Sequence, residues 1–120
     1  MNPKTQVLMD YVHANLHRKL SLDRLASSAN ISRSHLCRLF KDEVGMAPGQ
    51  YIQKLRMEEV SIHLATTLKS VKQIMMEVGY SDKSLFVRHF KKAQGLTPSE
   101  YREKHLNINS VKEHLKLVQK

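Results

Sequence analysis

There is no tryptophan in this sequence, and only three phenylalanines and four tyrosines among 120 residues. A core therefore has to be assembled from leucine, valine, isoleucine and methionine with a few aromatic rings. A single cysteine, Cys37, excludes an internal disulfide and fits a reducing, intracellular compartment. No apolar run approaches the ~18 residues of a membrane span, and the N-terminus carries no signal-peptide pattern. These absences predict a soluble, cytoplasmic protein. Acids are scarce as well: 11 Asp and Glu face 20 Lys and Arg, for a net charge of +9 and a pI near 9.9. Such an imbalance favours a polyanionic partner, and charge alone does not choose between nucleic acid and an acidic membrane. Strand-like alternation, low-complexity tracts and long linkers are missing too. The length suits one domain, or two very small lobes sharing a connector.

What is present is helical periodicity, punctuated by caps. Val7, Leu8, Tyr11, Val12 and Leu16 predict a first helix from Pro3 to about Arg18. Ser21 caps a short helix with Leu22, Leu25, Ala26 and Ala29 inward, and Asn30, a residue that tolerates positive φ, stops it. Ser32 caps the next, which buries Leu36, Leu39 and Phe40 and closes at Gly45. Pro48 opens a longer helix to about Leu68, on the order of 30 Å. Ser70 to Gln73 reads as a capping box starting another short helix, and Thr97-Pro98-Ser99-Glu100 as a second box with proline at the first helical position. Between them, Phe86, Phe90 and Ala93 mark the apolar stripe of a helix over 82–94 that Gly95 ends. Ser110 to Glu113 caps a last stretch with Val111, Leu115 and Val118 on one side.

Much of this occurs twice. A shift of fifty residues carries Ser34, Arg38, Phe40, Lys41, Gly45, Pro48, Tyr51 and Lys54 onto Ser84, Arg88, Phe90, Lys91, Gly95, Pro98, Tyr101 and Lys104. Upstream the shift is forty-nine, carrying Ser21, Leu25, Asn30 and Ser32 onto Ser70, Ile74, Gly79 and Ser81, so the second copy holds one extra turn residue near Asp82–Lys83. A duplicated motif with its caps, core face and basic face intact is a structural unit, and short helix, tight turn, second helix is helix-turn-helix grammar. The expected fold is all-α: two helix-turn-helix lobes over 1–47 and 69–105, a connecting helix over 48–68 and a C-terminal extension over 106–120, about seven helices plus the tail helix.

Several stretches resemble the AraC/XylS-type DNA-binding domain of bacterial transcription regulators. They are Leu25-Ala26, Ser34-His-Leu-Cys-Arg-Leu-Phe-Lys41, Gly45-Met-Ala-Pro-Gly-Gln-Tyr51, Leu55-Arg56, Val78-Gly-Tyr-Ser-Asp82, Phe86-Val-Arg-His-Phe-Lys91 and Gly95-Leu-Thr-Pro-Ser-Glu-Tyr-Arg102. The likeness runs from the first helix through Arg102 and leaves only the tail outside. It implies that the second helix of each lobe lies in a major groove. Carried over by position, the first reading helix is 32–43, with Ser34, Cys37, Arg38 and Lys41 outward. The second is 82–94, with Lys83, Ser84, Val87, Arg88 and Lys91 outward. Met75 departs from the family pattern by standing where alanine is usual between the paired helices. Cys37 and Val87 put little hydrogen-bonding capacity at reading positions.

The chemistry suits duplex DNA. Major grooves on one face lie about 34 Å apart, and a connector on the order of 30 Å holds two readers one turn apart. The expected site is asymmetric, about 20 base pairs long, and bound by a single chain as a monomer. Arg38 and Arg88 are the candidates for bidentate contacts to guanine, and Ser34, Cys37, Lys83, Ser84 and Val87 complete the base-reading set. Arg33, Lys41, Lys91 and Lys92 are candidates for phosphate, as are the helix starts at Ser21 and Ser70. The acids Asp42 and Glu43 are candidate contacts for RNA polymerase. The alternative is a basic module that binds polyanions or membranes unselectively, which the repeated caps and turns argue against. An enzyme is not expected. DNA-alkylation repair proteins with a related helix-turn-helix need a reactive cysteine cluster, and His13 and His17 have neither a third metal ligand nor a catalytic glutamate between them. No metal and no cofactor is implied.

Overall fold

The computed structural model describes residues 2–118, and within these the chain is all-helical. Eight helices follow in order: α1 (Pro3–Ala14), α2 (Leu22–Ser28), α3 (Arg33–Glu43), α4 (Pro48–Thr66), α5 (Val71–Glu77), α6 (Lys83–Gln94), α7 (Pro98–His105) and α8 (Ile108–Val118). The chain divides into two compact units, Met1–Leu55 and Arg56–Lys120, and the division falls inside α4.

In unit 1, Leu8 and Val12 of α1 meet Leu25 and Ala26 of α2, Leu36, Leu39 and Phe40 of α3, and Ile52 of α4 in one apolar core. The Phe40 and Tyr51 rings lie 5.6 Å apart, tilted at 60°. Helix α1 ends at Ala14, four residues before the expected end. Asn15 stops it, its side-chain amide donating to the Tyr11 carbonyl at 2.8 Å and its backbone N–H to Val12 at 3.1 Å. Leu16 is buried although it follows the helix, and Val7 is exposed. Glu43 ties the two ends of this unit together. Its carboxylate accepts from the backbone N–H of Asn2 at 2.6 Å and from the hydroxyl of the fully buried Thr5.

Unit 2 repeats the plan with different parts. Met57, Val60 and Leu64 of α4, Ile74 and Met75 of α5, Val78, and Phe86 and Phe90 of α6 form its core. Phe90 stands edge-on to Tyr101 at 5.5 Å, as Phe40 does less steeply to Tyr51. Met75 is buried, so the volume at that position is absorbed into the core. The C-terminal carbonyls of α4 find partners in α7 and beyond: Arg102 donates to Leu64 and Thr67, each at 3.2 Å, and the Asn107 N–H to Ala65 at 2.9 Å. Burial holds the Arg102 guanidinium below its ordinary pKa.

Three local expectations need correction. Ser70 accepts from the Gln73 N–H at 3.0 Å, but the Gln73 side chain turns to Glu77 at 3.3 Å instead of closing a capping box; the reciprocal box is complete at Thr97 and Glu100. The cap of α8 is Asn107, whose carboxamide oxygen accepts from the Ser110 N–H at 3.1 Å, so Ser110 lies inside the helix. Ala93 is exposed rather than on the buried stripe of α6. In α8, Val111 is buried and Leu115 is 43% exposed, while the side chain of Val118 and residues 119–120 of the expected extension lie outside the described residues.

Candidate nucleic-acid interface

Each unit holds its second helix by the same backbone device. In unit 1 the Ile31 N–H reaches back to the Ala26 carbonyl at 3.1 Å, and in unit 2 the Tyr80 N–H reaches Met75 at 3.0 Å. The residue before each sits at positive φ, Asn30 at 55° and Gly79 at 87°. That conformation is costly for residues with an ordinary Cβ and is admitted by asparagine and glycine. The caps follow: Ser32 accepts from the His35 N–H, and Asp82 from the Leu85 N–H, both at 3.1 Å. Ile31 passes directly to its cap whereas Tyr80 passes through Ser81, so Ser81 is the additional turn residue.

These constraints fix which faces of α3 and α6 meet solvent. On α3, Leu36, Leu39 and Phe40 are buried, while Ser34, Arg38 and Lys41 are exposed and Cys37 is half-buried. On α6, Phe86 and Phe90 are buried, Lys83, Ser84, Arg88, Lys91 and Lys92 are exposed, and the half-buried Val87 packs partly on the core of unit 2. The exposed face of α6 carries no acid, whereas on α3 the exposed Asp42 follows Arg38 by one turn. Arg33, also exposed, lies 3.8 Å from Asp23, a solvent-screened pair that costs little to exchange for another anion. Ser21 and Ser70 are exposed at the starts of α2 and α5, where each hydroxyl accepts from its own helix. Of the two acids considered for a protein contact, Glu43 is occupied by Asn2 and Thr5, which leaves Asp42 exposed.

Behind the basic face of α6 is a pair that the sequence only half revealed. His89 has its Nδ1 2.7 Å from the Tyr80 hydroxyl, with the rings edge to face at 5.6 Å. Tyr80 also stands edge-on to Phe86 at 5.4 Å. Burial lowers the His89 pKa, and the charges of Arg88 and Lys92 lower it further. Burial raises the Tyr80 pKa, opposed by the Arg56 guanidinium. The fifty-residue shift puts His89 at the place of the buried Leu39. Nothing in the spacing marked Tyr80 as its partner, because the corresponding residue, Ile31, has no polar group. Among the described residues no group of histidine, cysteine and carboxylate side chains is placed to hold a metal. No helix there is long and apolar enough to cross a membrane.

A helix-turn-helix domain family model matches residues 25–104, most of both repeats. The chain belongs to the AraC-type helix-turn-helix family. Among its relatives is the lactose operon transcription activator of Staphylococcus xylosus, 36% identical over 110 residues, which are 92% of this chain and 39% of that protein. The chain thus spans well under half the length of that relative. The C-terminal domain of AraT, a response regulator from Geobacillus stearothermophilus, superposes with a TM-score of 0.85 at 29% identity, covering 88% of each chain. The DNA-binding domain of AdpA, a global transcriptional factor solved with a target DNA, superposes with a TM-score of 0.79 at 26% identity, covering 87% of this chain and 93% of that one. An AraC-type domain is a DNA-binding module of transcription regulators rather than an enzyme fold.

Proposed function

We propose that this chain regulates transcription by binding double-stranded DNA sequence-specifically, with α3 and α6 laid in successive major grooves. The supporting observation is that both helices, each held by a side-chain cap and a positive-φ turn, expose serine, arginine and lysine at matched positions: Ser34, Arg38 and Lys41 on α3, Ser84, Arg88 and Lys91 on α6. The grooves admit a helix, and α4, with 19 residues, measures about 28 Å along its axis. Arg38 and Arg88 read guanine edges. Ser34, Lys83 and Ser84 supply adaptable donors, and Cys37 and Val87 offer apolar contact of the kind a thymine methyl takes. Lys41, Lys91, Lys92 and Arg33 meet phosphates, with the backbone at Ser21 and Ser70. One chain suffices for an asymmetric site, acting in the cytoplasm, with Asp42 available to RNA polymerase.

Selection of bound sequences from a random duplex pool, followed by competition against a scrambled duplex, tests the reading. Arg88→Ala should cost about 1–3 kcal/mol on the selected site and much less on the scrambled one. Equal losses on both would remove Arg88 as a base reader, and wild-type protein with no preference would leave only an unselective basic module.

A further inference from the structure

The two units place and pair their charges differently at the start of their first helix-turn-helix helices. In unit 1, Lys19, Leu20, Ser21 and Arg24 line an open hollow at the passage from α1 to α2. Both cations are exposed, and among the described residues neither has an acidic partner. The neighbouring acid, Asp23, lies against Arg33. The forty-nine-residue shift puts Leu68, Lys69, Ser70 and Gln73 at the same places in unit 2. There Lys69, at the place of Leu20, is taken, its Nζ 3.0 Å from one oxygen of Glu77 and the Gln73 amide 3.3 Å from the other. The exposed Lys72, at the place of Asp23, has no acidic partner among the described residues. Burial would raise the Glu77 pKa, but the hydrogen bond and charge of Lys69, with Gln73 and His63, hold it below the ordinary carboxylate value. The acid stays charged and cancels the lysine. Unit 1 has Ser28 at the position of Glu77, and its hydroxyl donates to the Leu25 carbonyl at 2.6 Å. The cap serine is common to both units and does not separate them; the cations do.

We infer that Lys19 and Arg24 form a backbone-phosphate anchor in unit 1, at positions that hold Leu68 and Gln73 in unit 2. The ligand is the phosphodiester of the bound duplex, so the inference rests on the DNA-binding reading above. Two unpaired cations release counterions on meeting phosphate, whereas a lysine already neutralised by a carboxylate adds little. At this place unit 1 therefore offers two unpaired cations, Lys19 and Arg24, where unit 2 offers Lys72 alone.

The test is fluorescence anisotropy of the whole chain on the selected duplex and a scrambled one, over a series of potassium chloride concentrations. The Lys19→Ala/Arg24→Ala double variant should bind both duplexes more weakly by the same factor. Its plot of log affinity against log salt should flatten by about 1–2 units, at ~0.9 for each phosphate no longer neutralised. The exchange Lys19→Arg/Arg24→Lys should keep the slope, and Lys69→Ala should leave it unchanged. A double variant with the wild-type slope, or a Lys69→Ala slope reduced as much as that of the double variant, would overturn the anchor. If the wild type prefers the selected duplex while either of those results holds, the anchor alone falls. If the wild type shows no preference or does not bind, the DNA reading falls and takes the anchor with it.

Discussion

Unit 1 and unit 2 place the same backbone around different chemistry. Ile31 and Leu39 in the first correspond to Tyr80 and His89 in the second, an apolar pair replaced by a hydrogen bond of 2.7 Å. Ala26 corresponds to Met75, yet the turn hydrogen bond differs by only a tenth of an ångström between them, 3.1 against 3.0 Å. Ile52, buried in the first core, corresponds to Arg102, which caps the carbonyl end of α4 in the second. What stays constant is what the backbone demands: a cap before each second helix, a residue that accepts positive φ, and a phenylalanine under the basic face. What varies is how the remaining volume and polar groups are satisfied. A duplicated frame of this kind can hold two unlike exposed faces because the frame and those faces share few residues.

The largest effects should come from the shared part. Phe40→Ala and Phe90→Ala each empty a fully buried ring site, at a cost of about 3–5 kcal/mol. Chemical denaturation measures the loss, and hydrogen exchange should show protection falling first in the unit that carries the change. Equal loss of protection in both units from either substitution would mean that they do not behave as separate cores. Next in size is the turn. Gly79→Ala forces an ordinary residue to φ near 87° and should cost about 1–2 kcal/mol. Asn30→Gly, at a φ of 55° already tolerated, should change stability by a few tenths at most. A cost at Asn30 as large as that at Gly79 would show that the asparagine side chain does something in unit 1 beyond permitting the backbone.

The fold was legible because caps and left-handed stops are local signals: Ser32, Thr97, Asn30 and Gly95 each act through atoms a few residues away. Repetition then supplied the tertiary inference, since a core face recurring with its caps must pack the same way twice. The candidate interface was legible for the related reason that the exposed side of an amphipathic helix is the complement of its buried side, and Ser34, Arg38, Ser84 and Arg88 all lie on it. What escaped was pairing between residues far apart in the chain. Glu43 is exposed, as read, but nothing in its neighbours announces its partners Asn2 and Thr5, some forty residues upstream. Arg102 gave no sign of the carbonyls of Leu64 and Thr67 for the same reason. Ser110 lost the cap to Asn107 because both have a capping side chain, and only Asn107 can also hold the Ala65 carbonyl through its N–H.

The smallest and sharpest difference between the units is in their response to pH. Burial, then Arg88 and Lys92, holds His89 below its ordinary pKa, while Leu39 at the matching place has nothing to titrate. The histidine is easier to protonate in the unfolded chain, at about 6.5, than in the folded one. Between those two values the unfolded state binds more protons, so the stability that neutral His89 allows is complete above about pH 6.5 and declines as the pH falls towards the folded value. The groups facing the ring are Arg88 and Lys92 from its own helix and Tyr80 from the turn, which itself lies near Arg56; none is an acid that would reverse the sign. His89→Leu, which copies unit 1, should flatten this part of the pH–stability curve measured by denaturation at fixed ionic strength. Tyr80→Phe should keep the slope but remove the 2.7 Å hydrogen bond, costing about 1 kcal/mol near neutral pH. If the slope persists in His89→Leu, another histidine carries it, and the polar pair beneath the exposed face of α6 is then a matter of packing alone.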